Sequence, residues 1–314
     1  MRSCPVLFIV VPCYNEEEVL PFTSKHLLMI FRNMILDGRI SQDSRIVFVD
    51  DGSSDKTWRL ISDLHSTWTV IEGLKLAHNS GHMNALWAGL NHACGRCDCV
   101  ITIDADLQDD PNVIPEFVER YRKGFDVVYG VRSSRKKDSF FKRFTAQMFY
   151  KMMRANGVPL VYDHADYRLL SSRALYALLD FEEVNMFLRG IVPMLGFRTS
   201  TVMYDREERF AGKSKYPLKK MIAFAMEGIT SLSNKPLHIS AWLGFLFVLI
   251  SIVLSFVLKP FEFSVFSIWF VSGVVLMMLG IIGEYLGKIY LETKHRPRFI
   301  IERRLLSKPE ADEG

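Results

Sequence analysis

Neither sign of charge dominates this sequence: 39 lysines and arginines stand against 35 aspartates and glutamates, a net +4 in 314 residues. So mild a balance does not suggest a nucleic-acid partner, which calls for a clear excess of Lys and Arg. Cysteine is scarce, five in all and odd in number. Three of them, Cys94, Cys97 and Cys99, fall in "HACGRCDC". With His92 they could make a zinc site, and Cys-x-x-Cys can be a redox pair, but a second ligand pair at suitable spacing is missing. The simpler reading is small buried thiols around a helix-to-strand turn at Gly95, in a reducing compartment. The N-terminus lacks the charged region, apolar core and cleavage site of a signal peptide. No tryptophan follows an arginine.

Charge is also missing from two long runs. Ile239 to Leu258 and Ser264 to Gly283 hold no charged residue. Each is long enough to span a hydrocarbon core of about 30 Å as a helix, where a pair of buried core helices would be the alternative. The link "KPFEF" is short, so the two spans (239–258 and 264–283) read as a hairpin over 236–286. Lys213, Lys215, Lys219, Lys220 and Lys235 precede it. Lys288, Lys294, Arg296, Arg298, Arg303, Arg304 and Lys308 follow, in a basic tail over 287–314. The positive-inside rule puts both flanks, and with them both termini, in the cytoplasm. Residues 217–235 read as an amphipathic interfacial helix, or one packed on the soluble domain. Ser139 to Asn156 mixes aromatics, methionines and basic residues and could also touch lipid.

Before residue 235 the pattern alternates. "VLFIVVP", "RIVFVD", "TVIEGLKLA", "CVITID" and "DVVYGVR" read as short apolar strands. The helices between them are "EEEVLPFTSKHLLMIFRNMI", "SDKTWRLISDLH" (with Ser53 or Ser54 as N-cap), "GHMNALWAGLNHA" and "NVIPEFVERYRKG", which ends at Gly124. Such alternation predicts an α/β domain with a mostly parallel sheet covered on both faces. Ligands in such sheets bind beyond the carboxyl ends of the strands. The five exits read "PCYNEE", "DDGSSD", "HNSGH", "DADLQDD" and "RSSRKK", polar at every strand.

The fourth exit, in "VITIDADLQDD" from Val100 to Asp110, drives a strand into clustered carboxylates. Like charges so placed are costly unless a cation sits among them. Asp-x-Asp after a strand suits Mg²⁺ or Mn²⁺, with phosphate oxygens and water filling the other positions. Such an ion neutralises charge on a leaving diphosphate. Asp109 and Asp110 precede Pro111 and read as caps of the next helix.

Five motifs occur in order: "VPCYNEEE", "VDDGSSDKT", "DADLQDDP", "HADYRLLSSRAL" and "EERFAGKSKY". With the two C-terminal spans they resemble the polyprenyl-phosphate glycosyltransferases of glycosyltransferase family 2, similar to bacterial undecaprenyl-phosphate glucosyltransferases and dolichyl-phosphate mannose synthase. The resemblance implies a Rossmann-like GT-A catalytic domain over 1–216. It implies inverting, metal-dependent transfer of one sugar from a nucleotide sugar to polyprenyl phosphate at the cytoplasmic membrane. The donor expected is UDP-glucose or a UDP-N-acetylhexosamine, with GDP-mannose the alternative, and a homotetramer is the family's assembly. By the same resemblance Pro12, Tyr14, Glu16 and Asp51 lie around the nucleotide base and Asp104 approaches the ribose. Asp106 and Gln108 take the metal, and Arg209 and Lys215 take the donor diphosphate. Arg132 and Arg143 take the acceptor phosphate. Asp166 is the catalytic carboxylate, accepting a remaining proton or placing the acceptor. One departure is "NSGH", where many relatives carry lysine after the glycine; His82 stands there. A processive polysaccharide synthase would carry Gln-x-x-Arg-Trp, which is absent. Two spans without internal charge offer no head-group path to a flippase, and the acidic cluster argues against a passive scaffold.

Overall fold

The computed structural model describes residues 4–133, 164–181, 183, 188–205, 237, 242–247, 249–250, 253 and 260–307. In chain order the elements are β1 (Leu7–Cys13), α1 (Leu20–Leu36), β2 (Arg45–Asp50), α2 (Thr57–Thr67), β3 (Ile71–Leu76), α3 (His82–Ala93), β4 (Cys99–Thr102) and α4 (Ile114–Arg122). They continue with β5 (Val127–Arg132), β6 (His164–Ser171), α5 (Ser172–Leu179), α6 (Leu188–Met194), β7 (Thr199–Tyr204), α7 (Pro260–Thr293) and β8 (Ile301–Leu305). The strands form one sheet in the order β7-β5-β6-β4-β1-β2-β3-β8.

The centre of the sheet is the parallel set that the apolar runs imply. β1 lies between β2 and β4, and β2 pairs with β3, all parallel. Every residue of β1 is buried, because both of its faces are covered. Ile9, Ile46, Phe48 and Ile101 face α1, α2 and α4 through Phe31, Met34, Ile61 and Phe117. Val10, Val47, Leu74 and Val100 face α3, α5 and α6 through Ala85, Leu86, Leu175 and Ile191. Each of these larger apolar side chains contributes about 1.5–3 kcal/mol when fully buried. Helix α3 lies so close to β1 that a Cβ on Gly89 would meet Val10 Cγ1 at 2.3 Å.

The sheet is mixed rather than parallel at its flanks. β6 inserts between β4 and β5, antiparallel to both, and β5 pairs in parallel with β7. The segment read as a basic tail supplies the eighth strand, antiparallel to β3. Lys75 and Glu302 bridge that pair at 2.8 Å. At the cap of α2, Asp55 rather than Ser53 or Ser54 accepts from the Thr57 N–H at 2.9 Å. Ser53 Oγ instead accepts from the Asn15 N–H, tying two strand exits together.

Helix α7 contains the whole expected second span. Among the described residues one helix, Phe270–Thr293, is long and apolar enough to cross a membrane. It runs past Gly283 because Glu284, Lys288 and Glu292 recur every four residues and continue a helical face. It begins at Pro260, so most of the link "KPFEF" is its first turn. The amphipathic segment 217–235 and most of the first span lie outside the described residues.

A buried ion cluster fixes β8. Glu72 on β3 is fully buried and accepts from Arg96 through two nitrogens at 2.8 and 2.7 Å. His92 Nε2 lies 2.6 Å from Oε2, the oxygen that Arg96 Nη1 also meets, and the Ser307 N–H beyond β8 reaches Oε1 at 3.4 Å. Burial alone would raise this carboxyl, but His92 and Arg96 outweigh it and hold its pKa at about 2. The stabilisation is therefore complete above the unfolded carboxyl range and is lost as pH falls from about 4.5 toward about 2. Glu72→Gln should cost about 3 kcal/mol at pH 7. Thermal unfolding of the detergent-solubilised protein should show the gap from wild type narrowing through that acid range. An unchanged midpoint at pH 7 would contradict the assignment.

Candidate active site

The exits of β1, β2, β3, β4 and β5 open at one edge of the sheet, and β6 enters there. After β1, Tyr14 is 41 % exposed, and Asn15 turns the chain with a positive φ of 53°. After β2, Asp51 is buried and accepts from the Ser80 and Gly81 N–H groups at 2.7 and 2.9 Å. That carboxylate ties the β2 exit to the loop entering α3. Gly52 makes the close approach possible: its φ is +66°, and a Cβ there would meet the His78 backbone at 2.5 Å. Burial pushes the Asp51 carboxyl up despite those two hydrogen bonds.

After β4 come the carboxylates. Asp104 Oδ1 lies 3.5 Å from His82 Nε2 at the start of α3. Asp106 Oδ1 accepts from the Gln108 N–H at 3.2 Å, closing a turn in which Leu107 takes φ 55°. Thr23 Oγ1 on α1 anchors the loop through the Ala105 carbonyl at 2.6 Å. Asp110 caps the next turn, accepting from the Asn112 N–H at 2.9 Å. Asp109 is not a cap. It is buried, accepts from Tyr204 Oη at 2.6 Å and faces Arg132 at 3.5 Å.

Asp166 on β6 is 6 % exposed, and two arginines converge on it. Arg168, two residues along the strand, bonds Oδ1. Arg189 on α6 approaches side-on: Nη2 to Oδ2 at 2.8 Å, and Nε to both oxygens at 3.2 and 3.3 Å. Burial would raise the Asp166 carboxyl, but Arg189 and Arg168 hold it well below the usual carboxylate range. Arg168 Nη1 also donates to the Leu188 carbonyl at 3.1 Å, which fixes the first residue of α6.

Of the residues singled out in the sequence, Pro12, Tyr14, Glu16, Asp51, Asp104, Asp106, Gln108, Arg132 and Asp166 lie at this edge. Arg143, Arg209 and Lys215 lie outside the described residues. Sequence reasoning missed Arg168, Arg189 and Tyr204. The signal for Arg189 was present as a lone charge inside the apolar stretch "FLRGIVPML". The cysteine cluster does not gather: His92 is engaged by Glu72, Cys97 and Cys99 are buried thiols, and burial pushes Cys97 up to about 12.

Among the described residues no three His, Cys, Asp or Glu side chains converge to cage an ion. Mg²⁺ and Mn²⁺ do not require such a cage. They bind one or two carboxylates and keep phosphate and water ligands. The Asp106 carboxylate and the Gln108 carboxamide, joined in one turn, are donors of the kind such an ion takes when it arrives with a diphosphate.

The family model for glycosyl transferase family 2 matches residues 8–179. The chain is 51 % identical to the uncharacterized glycosyltransferase YkoT of Bacillus subtilis (strain 168), over 96 % of this chain and 92 % of that protein. It is 37 % identical to the bactoprenol glucosyl transferase of Shigella phage SfX, over 94 % of this chain and 98 % of that one. Glucosyl-3-phosphoglycerate synthase from Mycobacterium tuberculosis superposes with a TM-score of 0.47 at 17 % identity, covering 73 % of this chain and 79 % of that one.

The carboxylate cluster makes a pH-dependent prediction. Lost hydration pushes Asp104 up to about 6; His82 opposes the rise, and Asp109, Asp166 and Asp106 add to it. Near pH 6 Asp104 is then about half protonated, and a cation placed beside it expels that proton. Titration calorimetry of Mn²⁺ with uridine diphosphate, in buffers of different ionisation enthalpy, should show wild type releasing about half a proton more than Asp104→Asn at pH 6 and the two agreeing at pH 8. Equal release by the two proteins at pH 6 would contradict the reading.

Proposed function

The chain belongs to glycosyl transferase family 2, and from that membership we propose that it moves one sugar from a nucleotide sugar to a polyprenyl phosphate at a membrane. The observation that carries this reading is the juxtaposition at one sheet edge of Asp104 and Asp106 with the guanidiniums of Arg132 and Arg189. One half of the edge suits a cation-bound diphosphate and the other a phosphate monoester. Relatives named bactoprenol glucosyl transferase align along nearly the whole chain. Their name supports a polyprenyl phosphate acceptor and makes UDP-glucose the first donor to test, ahead of a UDP-N-acetylhexosamine or GDP-mannose.

In this proposal Tyr14 packs on the nucleotide base, with Pro12, Glu16 and Asp51 beside it, and Asp104 meets the ribose. Asp106 and Gln108 would hold Mg²⁺ or Mn²⁺, which when bound neutralises charge on the departing diphosphate. Arg209 and Lys215 reach the same diphosphate. Arg132 and Arg143 orient the acceptor phosphate, since guanidinium pairs bidentately with its oxygens. One acceptor oxygen forms a bond to the anomeric carbon from the face opposite the departing diphosphate. The bond from that carbon to the diphosphate oxygen breaks, and its electron pair leaves with the nucleoside diphosphate. The configuration inverts. A phosphate monoester loses its second proton near pH 6, so it needs orientation more than deprotonation. The low pKa of Asp166 suits it to placing the acceptor rather than to taking a proton.

The apolar helix Phe270–Thr293 supports membrane attachment. With the uncharged run 239–258 it would form a hairpin that leaves the catalytic domain and both termini cytoplasmic. Reporter fusions at both ends should then read cytoplasmic, and a tag within 259–263 external.

The catalytic reading is tested with purified protein, labelled UDP-glucose and undecaprenyl phosphate. Wild type should form a lipid-linked sugar, and EDTA should abolish that product. Asp106→Ala should lower the rate at least about a hundredfold while keeping the wild-type melting profile. Full activity of that variant, or of the EDTA-treated enzyme, would remove the metal assignment.

A further inference from the structure

We propose that the groove between α3 and β8 is a second binding site, for a soluble phosphorylated small molecule with an apolar or aromatic body, of the nucleotide class. The inference does not depend on the reading of the working edge.

The groove has a volume of about 690 Å³, within the range of about 300–1,000 Å³ common to small-molecule sites. Its walls come from elements far apart in sequence. On β8 the alternation of side chains turns Arg304 and Leu306 into it. Arg304 lies opposite Leu74, which belongs to the core on the α3 side of the sheet. Arg45 enters from the first residue of β2, in register with Phe8 near the start of β1. Arg96, just past α3, rests its guanidinium 5.1 Å from the centre of the Phe8 ring.

The three guanidiniums are not equally committed. Arg96 is held by the buried Glu72 through two nitrogens, so it forms part of the wall. Arg45 spends Nη1 on the Gln42 and Ser44 carbonyls at 3.0 and 2.8 Å, contacts that leave its charge unbalanced. Arg304 is exposed. Among the described residues neither Arg45 nor Arg304 forms an ion pair. The carboxylate lining the groove is Asp43, which accepts from Ser41 Oγ at 3.3 Å. With Glu72 set against Arg96, two guanidiniums stand against one carboxylate. Planar forks of this kind meet phosphate oxygens bidentately. Phe299 and Ile301 line the other end and pack on the apolar core. The occupant therefore needs an anionic end and an apolar or aromatic body, which a bare phosphate lacks.

The topology favours a soluble source over a lipid. β8 runs away from α7, from Ile301 beside Leu76 at the carboxyl end of β3 to Leu305 beside Gly73. Arg45 and Phe8 stand at the amino ends of their strands. The charged end of the groove is thus the end remote from the apolar helix, where a lipid head group would not lie.

The test measures binding by the full chain in phosphatidylcholine nanodiscs, with adenosine triphosphate as the probe and EDTA present. Wild type should bind it saturably below about 1 mM, and adenosine at least about tenfold more weakly. Arg304→Ala and Arg45→Ala should each weaken it about ten- to hundredfold, the range for hydrogen bonds to a charged group. Arg303→Ala is the control. It removes the same charge from the same strand, but Arg303 lies opposite Lys75 and does not line the groove. Its affinity should stay within about twofold of wild type. Arg304 is exposed, so its variant should keep the wild-type melting profile and decides alone if Arg45→Ala does not fold. Failure of wild type to bind overturns the inference. Equal losses in Arg303→Ala and Arg304→Ala do so too, since they mark general attraction to a basic surface. Displacement of the probe by uridine diphosphate with Mn²⁺ would move the ligand to the working edge and overturn the second site. Loss of probe binding when phosphatidylglycerol is added to the discs would assign the groove to lipid. A tenfold gain in affinity on removing residues 308–314, which carry Glu310, Asp312 and Glu313, would assign it to the chain's own acidic segment. Either result overturns the soluble ligand.

Discussion

Everything at the working edge depends on how four carboxylates survive side by side. Asp104, Asp106, Asp109 and Asp166 are close enough that the other three each raise the carboxyl of Asp104. Like charges that feel one another disfavour their ionised forms, so the cluster is served by positive groups built in beside it. The chain brings them from separate elements: Arg132 from β5, Arg168 from β6 and Arg189 from α6, while the His82 imidazole from α3 stands beside Asp104. Asp109 and Asp166 are answered this way. Among the described residues Asp104 has only the longer contact to His82. This asymmetry leaves the Asp104 end of the edge less compensated than the Asp166 end.

The mixed sheet serves that division. A purely parallel continuation beyond β4 would place another strand exit beside Asp104. Instead β6 runs antiparallel, and its first residues lie at the same edge as the end of β4. One strand therefore delivers Asp166 and Arg168 directly, and the chain that follows delivers Arg189. At the opposite flank β8 pairs with β3 so that Ile301, just after the long apolar helix, lies beside Leu76 at the carboxyl end of β3. The helix that would enter the bilayer thus joins the domain on the side where the strand exits open. A lipid-anchored acceptor needs that arrangement. The buried Glu72, His92 and Arg96 cluster holds the far end of the same strand.

Much of this was legible in the sequence, because the signals were local. Uninterrupted apolar strands, polar exits and the Asp-x-Asp after β4 need only short windows to be seen. The glycines closing α3 and α4, Gly95 and Gly124, do take positive φ where the turns were read. Long-range pairings were not legible. The antiparallel insertion of β6, and β8 within what read as a basic tail, are set by partners far away in sequence. Asp109 shows the same limit. Its position before Pro111 has the pattern of a helix cap, yet Tyr204, 95 residues later, and Arg132 claim it. Arg189 belongs to no motif, and its meaning appears only when β6 brings Asp166 beneath it. Asp166 itself was found by its motif, but the two arginines that hold its pKa down could not be.

The most direct measurement of the central claim is the anomeric configuration of the lipid product. Purified protein would be supplied with an α-linked UDP-glucose and undecaprenyl phosphate, and the lipid fraction examined by proton and phosphorus NMR. The account predicts a single β-linked glucosyl phosphate on the lipid, formed with one equivalent of uridine diphosphate. An α-linked product, or free glucose and uridine diphosphate with no lipid-bound sugar, would contradict it.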